Sequence, residues 1–114
     1  MNYLTAARAA AQSAVDKKAI DVRILTVRSL TTIADYLVIA TVESTPQMNA
    51  MLDAVESTLK DELGLSPLHR DGRHSRSWAV LDFGGLVVHA LFPPARELFA
   101  LEKMWAGART TRVS

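Results

Sequence analysis

The sequence has 114 residues with a formal net charge of +1, 49% hydrophobic and 22% charged residues, and no cysteine. The length and composition are typical of a globular protein with one modest core, so we expect a single domain over residues 1–114. The nearly neutral charge argues against a dedicated nucleic-acid binder. The lack of cysteine excludes disulfides, thiolate nucleophiles and cysteine metal sites.

The N-terminal residues are rich in alanine, but Arg8 interrupts them, and they lack the continuous apolar core of a signal peptide. No other segment is long and apolar enough for a membrane span, so we expect a cytoplasmic protein that binds no membrane. Residues 4–19 instead favour a helix, because alanine has a high helix propensity and small apolar residues recur at helical spacing. We expect this narrow face to lie close against a sheet.

Two strands and a second helix are predicted next. Residues 21–27 alternate polar and apolar side chains at first, and residues 34–42 are nearly all apolar, as in a strand buried on both faces. Ser44 or Thr45 can cap the following helix, with Pro46 in its first turn, where a missing N–H costs nothing. An apolar stripe follows, and Gly64 supplies the end of the helix. The stripe consists of Met48, Leu52, Val55, Leu59 and Leu63, and Met51 is also expected in the core.

The C-terminal half is expected to add a short strand at residues 67–70, a hairpin over residues 77–92 and a final helix over residues 95–105. The last helix would pack Leu98, Phe99, Leu101 and Trp105 on the sheet or offer them to a dimer contact. The predicted order is helix, strand, strand, helix, strand, hairpin, helix. This order indicates an α/β fold with a mixed β-sheet flanked by helices.

The hairpin has two different faces if Gly84 and Gly85 form a two-residue turn. One face is wholly apolar and belongs to the core: Ala79, Leu81, Phe83, Leu86, Val88 and Ala90. The other face mixes apolar, polar and indole groups: Trp78, Val80, Asp82, Val87, His89 and Leu91. Such a mixture is typical of a docking surface. The alternative is a second buried face on which Asp82 and His89 satisfy each other.

Catalytic and metal sites are poorly supported by the sequence. Asp82 and His89 lack a nucleophile, because Ser77 falls on the opposite face of the hairpin and no glycine-flanked elbow is present. The spacing of His69 and His74 fits neither a helix face nor alternate strand positions, so a zinc site is not expected. Asp82 also has no acidic partner two residues away to hold magnesium, and no glycine-rich phosphate loop occurs.

The densest positive cluster of the sequence lies in the loop before the hairpin, at Arg70, Arg73 and Arg76. Most clusters of this kind are simply solvated. A minority contact RNA or acidic surfaces, and the flanking residues do not decide between these outcomes.

Four segments in order resemble the Iojap family of bacterial ribosomal silencing factors. They are residues 16–22, 29–41, 78–93 and 96–105. The second segment contains a leucine, two small hydroxyl residues, isoleucine, alanine, aspartate and an aromatic residue at positions 30–36, as in the family. The sequence departs from the family where Gly85 replaces a common aspartate.

This resemblance implies a nucleotidyltransferase-like fold that has lost catalysis and needs no cofactor. It implies binding to the large ribosomal subunit through its fourteenth-numbered protein, which blocks joining of the small subunit and slows translation under nutrient limitation. A homodimer is implied for the free protein, and a nucleotide-binding or nucleotidyltransferase enzyme on the same fold is the alternative. The strand signature corresponds to Asp35 and Tyr36. The implied docking residues are Trp78, Asp82, Phe83, Gly84, His89, Phe92 and Arg96.

Overall fold

A computed structural model of the chain describes residues 2–73, 76–99, 103, 105 and 107–113. These residues form one mixed six-stranded sheet in the order β3-β4-β5-β2-β1-β6, in which β2 and β5 are parallel and the other neighbours antiparallel. The predicted α/β fold is confirmed. The elements are α1 (Tyr3–Asp16), β1 (Ile20–Thr26), β2 (Tyr36–Thr41), α2 (Thr45–Leu63), β3 (His69–Asp71), β4 (Trp78–Asp82), β5 (Leu86–Leu91), α3 (Pro93–Phe99) and β6 (Arg109–Arg112).

Helix α1 lies against the sheet through alanines, as its composition predicts. The side chain of Asn2 caps its start by accepting the Leu4 N–H at 3.0 Å. The helix ends at Asp16 rather than at the predicted residue 19, because Lys18 takes a positive φ of 68° that a helix cannot continue. The buried face consists of Ala6, Ala7, Ala10, Ala11, Ser13 and Ala14.

Helix α2 confirms its predicted start, stripe and end. Ser44 is the N-cap, and its Oγ accepts the Gln47 N–H at 3.1 Å. Gly64 is the C-cap, in a left-handed conformation with φ of 68°. The face toward the sheet is fully apolar and includes both expected methionines: Met48, Met51, Leu52, Val55 and Leu59.

The hairpin register also agrees with the sequence. Trp78 pairs with Leu91 and Asp82 with Val87, and the Phe83 N–H donates to the Leu86 carbonyl oxygen at 2.8 Å across the turn. The six residues of the apolar face all belong to the larger core, which we call the first core and which α1 and α2 cover.

Gly85 has a local reason to lack a side chain. A Cβ at this position would overlap the ring of Tyr3 from α1. The Tyr3 hydroxyl also donates to the Phe83 carbonyl oxygen at 3.4 Å. The tyrosine ring therefore covers the hairpin turn at Gly85.

The opposite face of the sheet packs a smaller second core. Trp78, Val87, Trp105 and Ala108 are partly buried against it. Its buried residues are Leu25, Val27, Ala34, Leu37, Ile39, Leu91 and Ala95.

The end of the chain differs from the prediction in two ways. Helix α3 begins at Pro93 and is described to Phe99, Trp105 lies in a turn, and residues 100–102 and 104 fall outside the described part of the chain. Packing of Trp105 on the sheet is confirmed, since it contacts the second core. Strand β6 was not predicted, because its four residues are polar and exposed and give no alternating pattern.

Candidate docking site

An open apolar groove lies on the second-core face, beside the β4–β5 hairpin. It encloses about 380 Å³. Two tryptophans and a histidine stand among its mostly apolar walls. We call it the Trp78 groove, and its lining residues are Val27, Thr31, Ile33, Ala34, Leu37, Trp78, Asp82, Val87, His89 and Trp105.

The segment between β1 and β2 forms one rim of the groove. It closes on itself, because the Val27 N–H donates to the Asp35 carbonyl oxygen at 2.9 Å and the Thr31 hydroxyl oxygen accepts the Ile33 N–H at 3.1 Å. The Asp35 N–H also donates to the Gly85 carbonyl oxygen at 2.8 Å, which ties the segment to the hairpin turn. Ile33 is thereby held at the rim, where it is 80% exposed.

Trp78 is held in place by His89. The indole Nε1–H donates to His89 Nδ1 at 3.0 Å, and the two ring centroids lie 5.6 Å apart with a tilt of 40°. Because Nδ1 accepts this hydrogen bond, the neutral imidazole carries its proton on Nε2. The ring of Trp78, rather than its N–H, is then the part that faces the groove.

Burial keeps His89 neutral. The side chain is only 9% exposed, and burial lowers the pKa of His89 from its usual value to about 4, although the nearby Asp82 carboxylate acts in the opposite direction. At neutral pH the imidazole is therefore an acceptor for Trp78. A charged His89 would lose this acceptor, since both ring nitrogens of the protonated form are donors.

Asp82 has a partner other than the one considered from the sequence. Its Oδ1 accepts the Gly84 N–H at 2.8 Å, which fixes the start of the hairpin turn. The face is partly buried, as the alternative expected, but His89 and Asp82 have hydrogen-bond partners other than each other, Trp78 and Gly84. Only a charge interaction joins them, and the carboxylate of Asp82 remains on the groove wall.

Of the seven docking residues implied by the resemblance, the groove brings together Trp78, Asp82 and His89. Phe83 is buried in the first core at 2% exposure, and Phe92 is partly buried against the same core, on the side of the sheet opposite the groove. The other two lie in the hairpin turn and on α3: Gly84 and Arg96.

Arg96 is engaged within the protein. Its Nη1–H donates to Thr41 Oγ1 at 2.9 Å, and its Nη2 lies 3.3 Å from Asp21 Oδ2. With a side chain that is 11% exposed, Arg96 fastens α3 to the sheet in this structure.

Six groove residues lie outside the docking face predicted from the sequence: Val27, Thr31, Ile33, Ala34, Leu37 and Trp105. Ile33 carried a signal, because it is an apolar residue in a polar loop and lies within the motif at positions 30–36. Leu37 and Trp105 carried none, since core residues and groove residues are equally apolar. Their place in the groove depends on the tertiary fold.

Arg70 of β3 and Arg73 of the following loop lie beside helix α2. Arg70 makes a bidentate contact with Glu56, with Nη2 2.8 Å from Oε1, and Arg73 pairs with Asp53. Arg76 is exposed. Because α2 covers the first core, Arg70 and Arg73 lie on the side of the sheet opposite the Trp78 groove.

Over the described residues, no group of three His, Asp or Glu side chains is arranged to hold a metal ion. No helix in that part of the chain is long and apolar enough to cross a membrane.

Comparison with known proteins identifies the family. A family model described as "Ribosomal silencing factor during starvation" matches residues 2–114. The chain belongs to this family. As a member, the protein has a ribosome-associated silencing role.

Individual relatives agree with this assignment. A ribosomal silencing factor of Haemophilus influenzae is 34% identical over 89 residues, which cover 78% of this chain and 86% of the relative. The corresponding factor of Chromobacterium violaceum is 31% identical over 94 residues, covering 82% of this chain and 76% of the relative. The chloroplastic Iojap protein of Zea mays is 35% identical over 100 residues, which are 86% of this chain and 42% of that longer protein.

Solved structures show the same fold. A crystal structure of a Chromobacterium violaceum protein superposes with a TM-score of 0.87 at 26% identity, covering all of this chain and 94% of the other. A Bacillus halodurans protein superposes with a TM-score of 0.77 at 25% identity, covering 91% and 93% of the two chains.

Proposed function

We propose that the protein binds the large ribosomal subunit through the Trp78 groove and thereby blocks joining of the small subunit. The receptor would be the fourteenth-numbered protein of the large subunit, and the result would be slower translation under nutrient limitation. The observation that carries this proposal is an open apolar groove with an oriented tryptophan in a protein whose family silences ribosomes.

The groove has the features of a protein interface. Exposed apolar surface of this kind marks interaction sites, and tryptophan is enriched among the residues that contribute most to binding. The 80% exposed Ile33 extends the apolar surface at one rim. Asp82 adds a carboxylate to the wall, which suits a basic side chain on the partner.

The bond between Trp78 and His89 also favours binding. A side chain that is already held in one orientation loses little conformational entropy when a partner covers it. Trp78 has such an orientation through its 3.0 Å hydrogen bond. His89 is then a positioning residue, since it acts through Trp78 rather than by its own contact.

Steric occlusion needs only a bound body of sufficient size. The protein measures 33 × 32 × 24 Å. A body of these dimensions, bound where two subunits must meet, prevents their contact without any chemical step. We also propose that it acts in the cytoplasm. A homodimer of the free protein, implied by the resemblance, stays a prediction.

The proposal is tested by two matched variants that each truncate an exposed apolar side chain. Ile33→Ala removes the groove rim, and we expect it to weaken binding to purified large subunits about fivefold or more, equivalent to about 1 kcal/mol. Leu68→Ala is the control, because Leu68 is 68% exposed but lies outside the groove, beside Gly84 and Tyr3. Binding is measured by pelleting through a sucrose cushion over a range of protein concentrations.

Both variants should keep their fold, because each side chain is largely in water in the free protein. Thermal unfolding checks this point. Equal binding by Ile33→Ala and Leu68→Ala would show that the groove is not part of the interface with the large subunit. Trp78→Ala is expected to weaken binding more than Ile33→Ala. Because it also removes packing from the second core, its loss of binding is compared with its measured loss of thermal stability.

A further inference from the structure

A second, smaller hollow lies next to the Trp78 groove. It encloses about 290 Å³ and is lined by Asp71, Gly72, Trp78 and Val80. In the sheet, β4 lies between β3 and β5, and the hollow lies toward β3 whereas the groove lies toward β5. Trp78 lines both depressions and therefore stands between them. We call the smaller one the Asp71 hollow.

The pairing of β3 with β4 puts Asp71 on the groove face of the sheet. Asp71 lies directly opposite Val80, and Arg70 lies opposite Leu81. Residues that pair directly point to the same face of a sheet, and successive residues point to opposite faces. Leu81 belongs to the first core, and Arg70 accordingly reaches Glu56 of α2. Asp71 points to the other face, together with Val80.

Gly72 follows Asp71 without adding a side chain to the hollow. Its φ of 78° is in the left-handed region, which favours glycine. A Cβ at this position would also overlap the carbonyl oxygen of Trp78. The backbone of Gly72 therefore lies directly on β4, beside Trp78.

Two carboxylates stand on either side of Trp78, with Asp71 in the hollow and Asp82 in the groove. Among the residues that the structure describes, no hydrogen bond or ion pair engages the exposed Asp71 carboxylate. Asp82 accepts the uncharged Gly84 N–H, and His69, which lies opposite Asp82 in the sheet, forms no ion pair with it. Neither carboxylate is neutralised by a cation of the described part of the chain, so the surface around Trp78 is acidic.

An indole between two carboxylates fits a basic side chain of another protein. A guanidinium or ammonium group there forms a charge-assisted hydrogen bond with a carboxylate and is attracted to the indole ring. The aliphatic stem of an arginine or lysine can pack on apolar atoms of the hollow, such as those of Val80. The phosphates of RNA would be repelled by the same two carboxylates, so the chemistry of this surface favours a protein partner.

We propose that the docking surface continues past Trp78 to the edge of the sheet, and that the Asp71 hollow binds an arginine or lysine side chain of the receptor protein on the large subunit. This inference rests on the proposed function, which uses the Trp78 groove alone. It adds a second binding position on β3 and specifies the charge that the receptor presents there.

The test changes the charge of Asp71 and measures binding to purified large subunits at low and high salt. Asp71→Asn removes the charge at nearly constant size, and Asp71→Lys reverses it. At about 50 mM salt, we expect binding to weaken about threefold or more for Asp71→Asn and about tenfold or more for Asp71→Lys. Because salt screens exposed charges, both losses should shrink at about 0.5 M salt, whereas a loss caused by altered structure would persist.

Asp61→Asn and Asp61→Lys are the matched controls. Asp61 is also exposed, but it lies on α2, which covers the other side of the sheet. These controls should bind within about twofold of the wild type. All four variants change exposed side chains, and a melting temperature for each confirms that the fold is kept.

The same titrations with the isolated fourteenth-numbered protein identify the partner, and both Asp71 variants should lose affinity for it as they do for whole subunits. Unchanged binding of Asp71→Asn and Asp71→Lys to subunits, while Ile33→Ala binds more weakly, would overturn this inference alone. So would a loss seen with subunits but absent with the isolated protein, or tighter binding by Asp71→Lys, which would indicate RNA in the hollow. If the wild type bound no large subunits at all, the proposed function would fail, and this inference with it.

Discussion

At the scale of single residues, the site depends on which partner His89 takes. In the hairpin, Val80 lies directly opposite His89. Trp78 lies two residues before Val80 and Asp82 two residues after it, so both are diagonal neighbours of the imidazole. The structure gives the hydrogen bond to Trp78 and leaves Asp82 to the turn. The alternation of side chains predicted that the three residues share a face, but it could not choose between two equivalent diagonals.

A neutral, buried His89 makes stability depend on pH. The unfolded chain takes up a proton near the usual histidine pKa of about 6.5, whereas folded His89 does so only near 4. Between these values the unfolded state binds more protons, so the free energy of unfolding falls as the pH is lowered from about 6.5 to 4. The loss attributable to His89 is expected to approach about 3 kcal/mol.

His89→Asn is the matched variant for this prediction, because its amide can accept from Trp78 but does not titrate. Urea unfolding is followed at several pH values in both proteins. Carboxylates titrate in the same range in each, so the difference between the two proteins isolates His89. If the variant and the wild type lost the same free energy on acidification, His89 would not be the group responsible.

At the scale of elements, the sequence predicts those whose signals are local. Helix α2 has its N-cap at Ser44, a proline in its first turn and a left-handed glycine at its end. All three signals were recognisable in the sequence. Strand β2 was recognisable because burial on both faces requires a continuous apolar run. Strand β6 has no such signal, since its residues pair at an exposed edge and depend on β1 for their position.

The end of α2 gives a prediction at this scale. Gly64 has a φ of 68°, and a Cβ there would meet no atom within 4 Å, so Gly64→Ala adds backbone strain without a clash. We expect a loss of about 1 kcal/mol in the free energy of unfolding. Gly107→Ala is the control, because a Cβ there comes no closer than 3.6 Å to Leu30 and the backbone φ is not in the left-handed region.

The control should change stability by less than about 0.5 kcal/mol in a chemical unfolding experiment. Equal effects at the two glycines would show that the left-handed C-cap contributes nothing specific to α2. The stability of α2 affects the Trp78 groove indirectly. Helix α2 covers the first core, and the apolar face of the β4–β5 hairpin packs against that core.

At the scale of the whole molecule, the two sides of the sheet have different roles. Helices α1 and α2 cover the first core, and Arg70 and Arg73 beside α2 pair with its acidic side chains Glu56 and Asp53. The second core is smaller and leaves the Trp78 groove open. The sequence predicted both hairpin faces, but the groove on one of them is completed by residues from outside the hairpin, such as Ile33 and Trp105, whose positions depend on the tertiary fold.

The proposed function depends on occlusion of the subunit interface by the protein when it is bound to the large subunit. The most direct measurement is gradient sedimentation of purified large and small subunits mixed with the protein, under conditions in which they normally join. We predict that the protein sediments with free large subunits and that the fraction of joined ribosomes falls as its concentration rises. Protein found in the joined-ribosome peak, with joining unchanged, would contradict the proposed function.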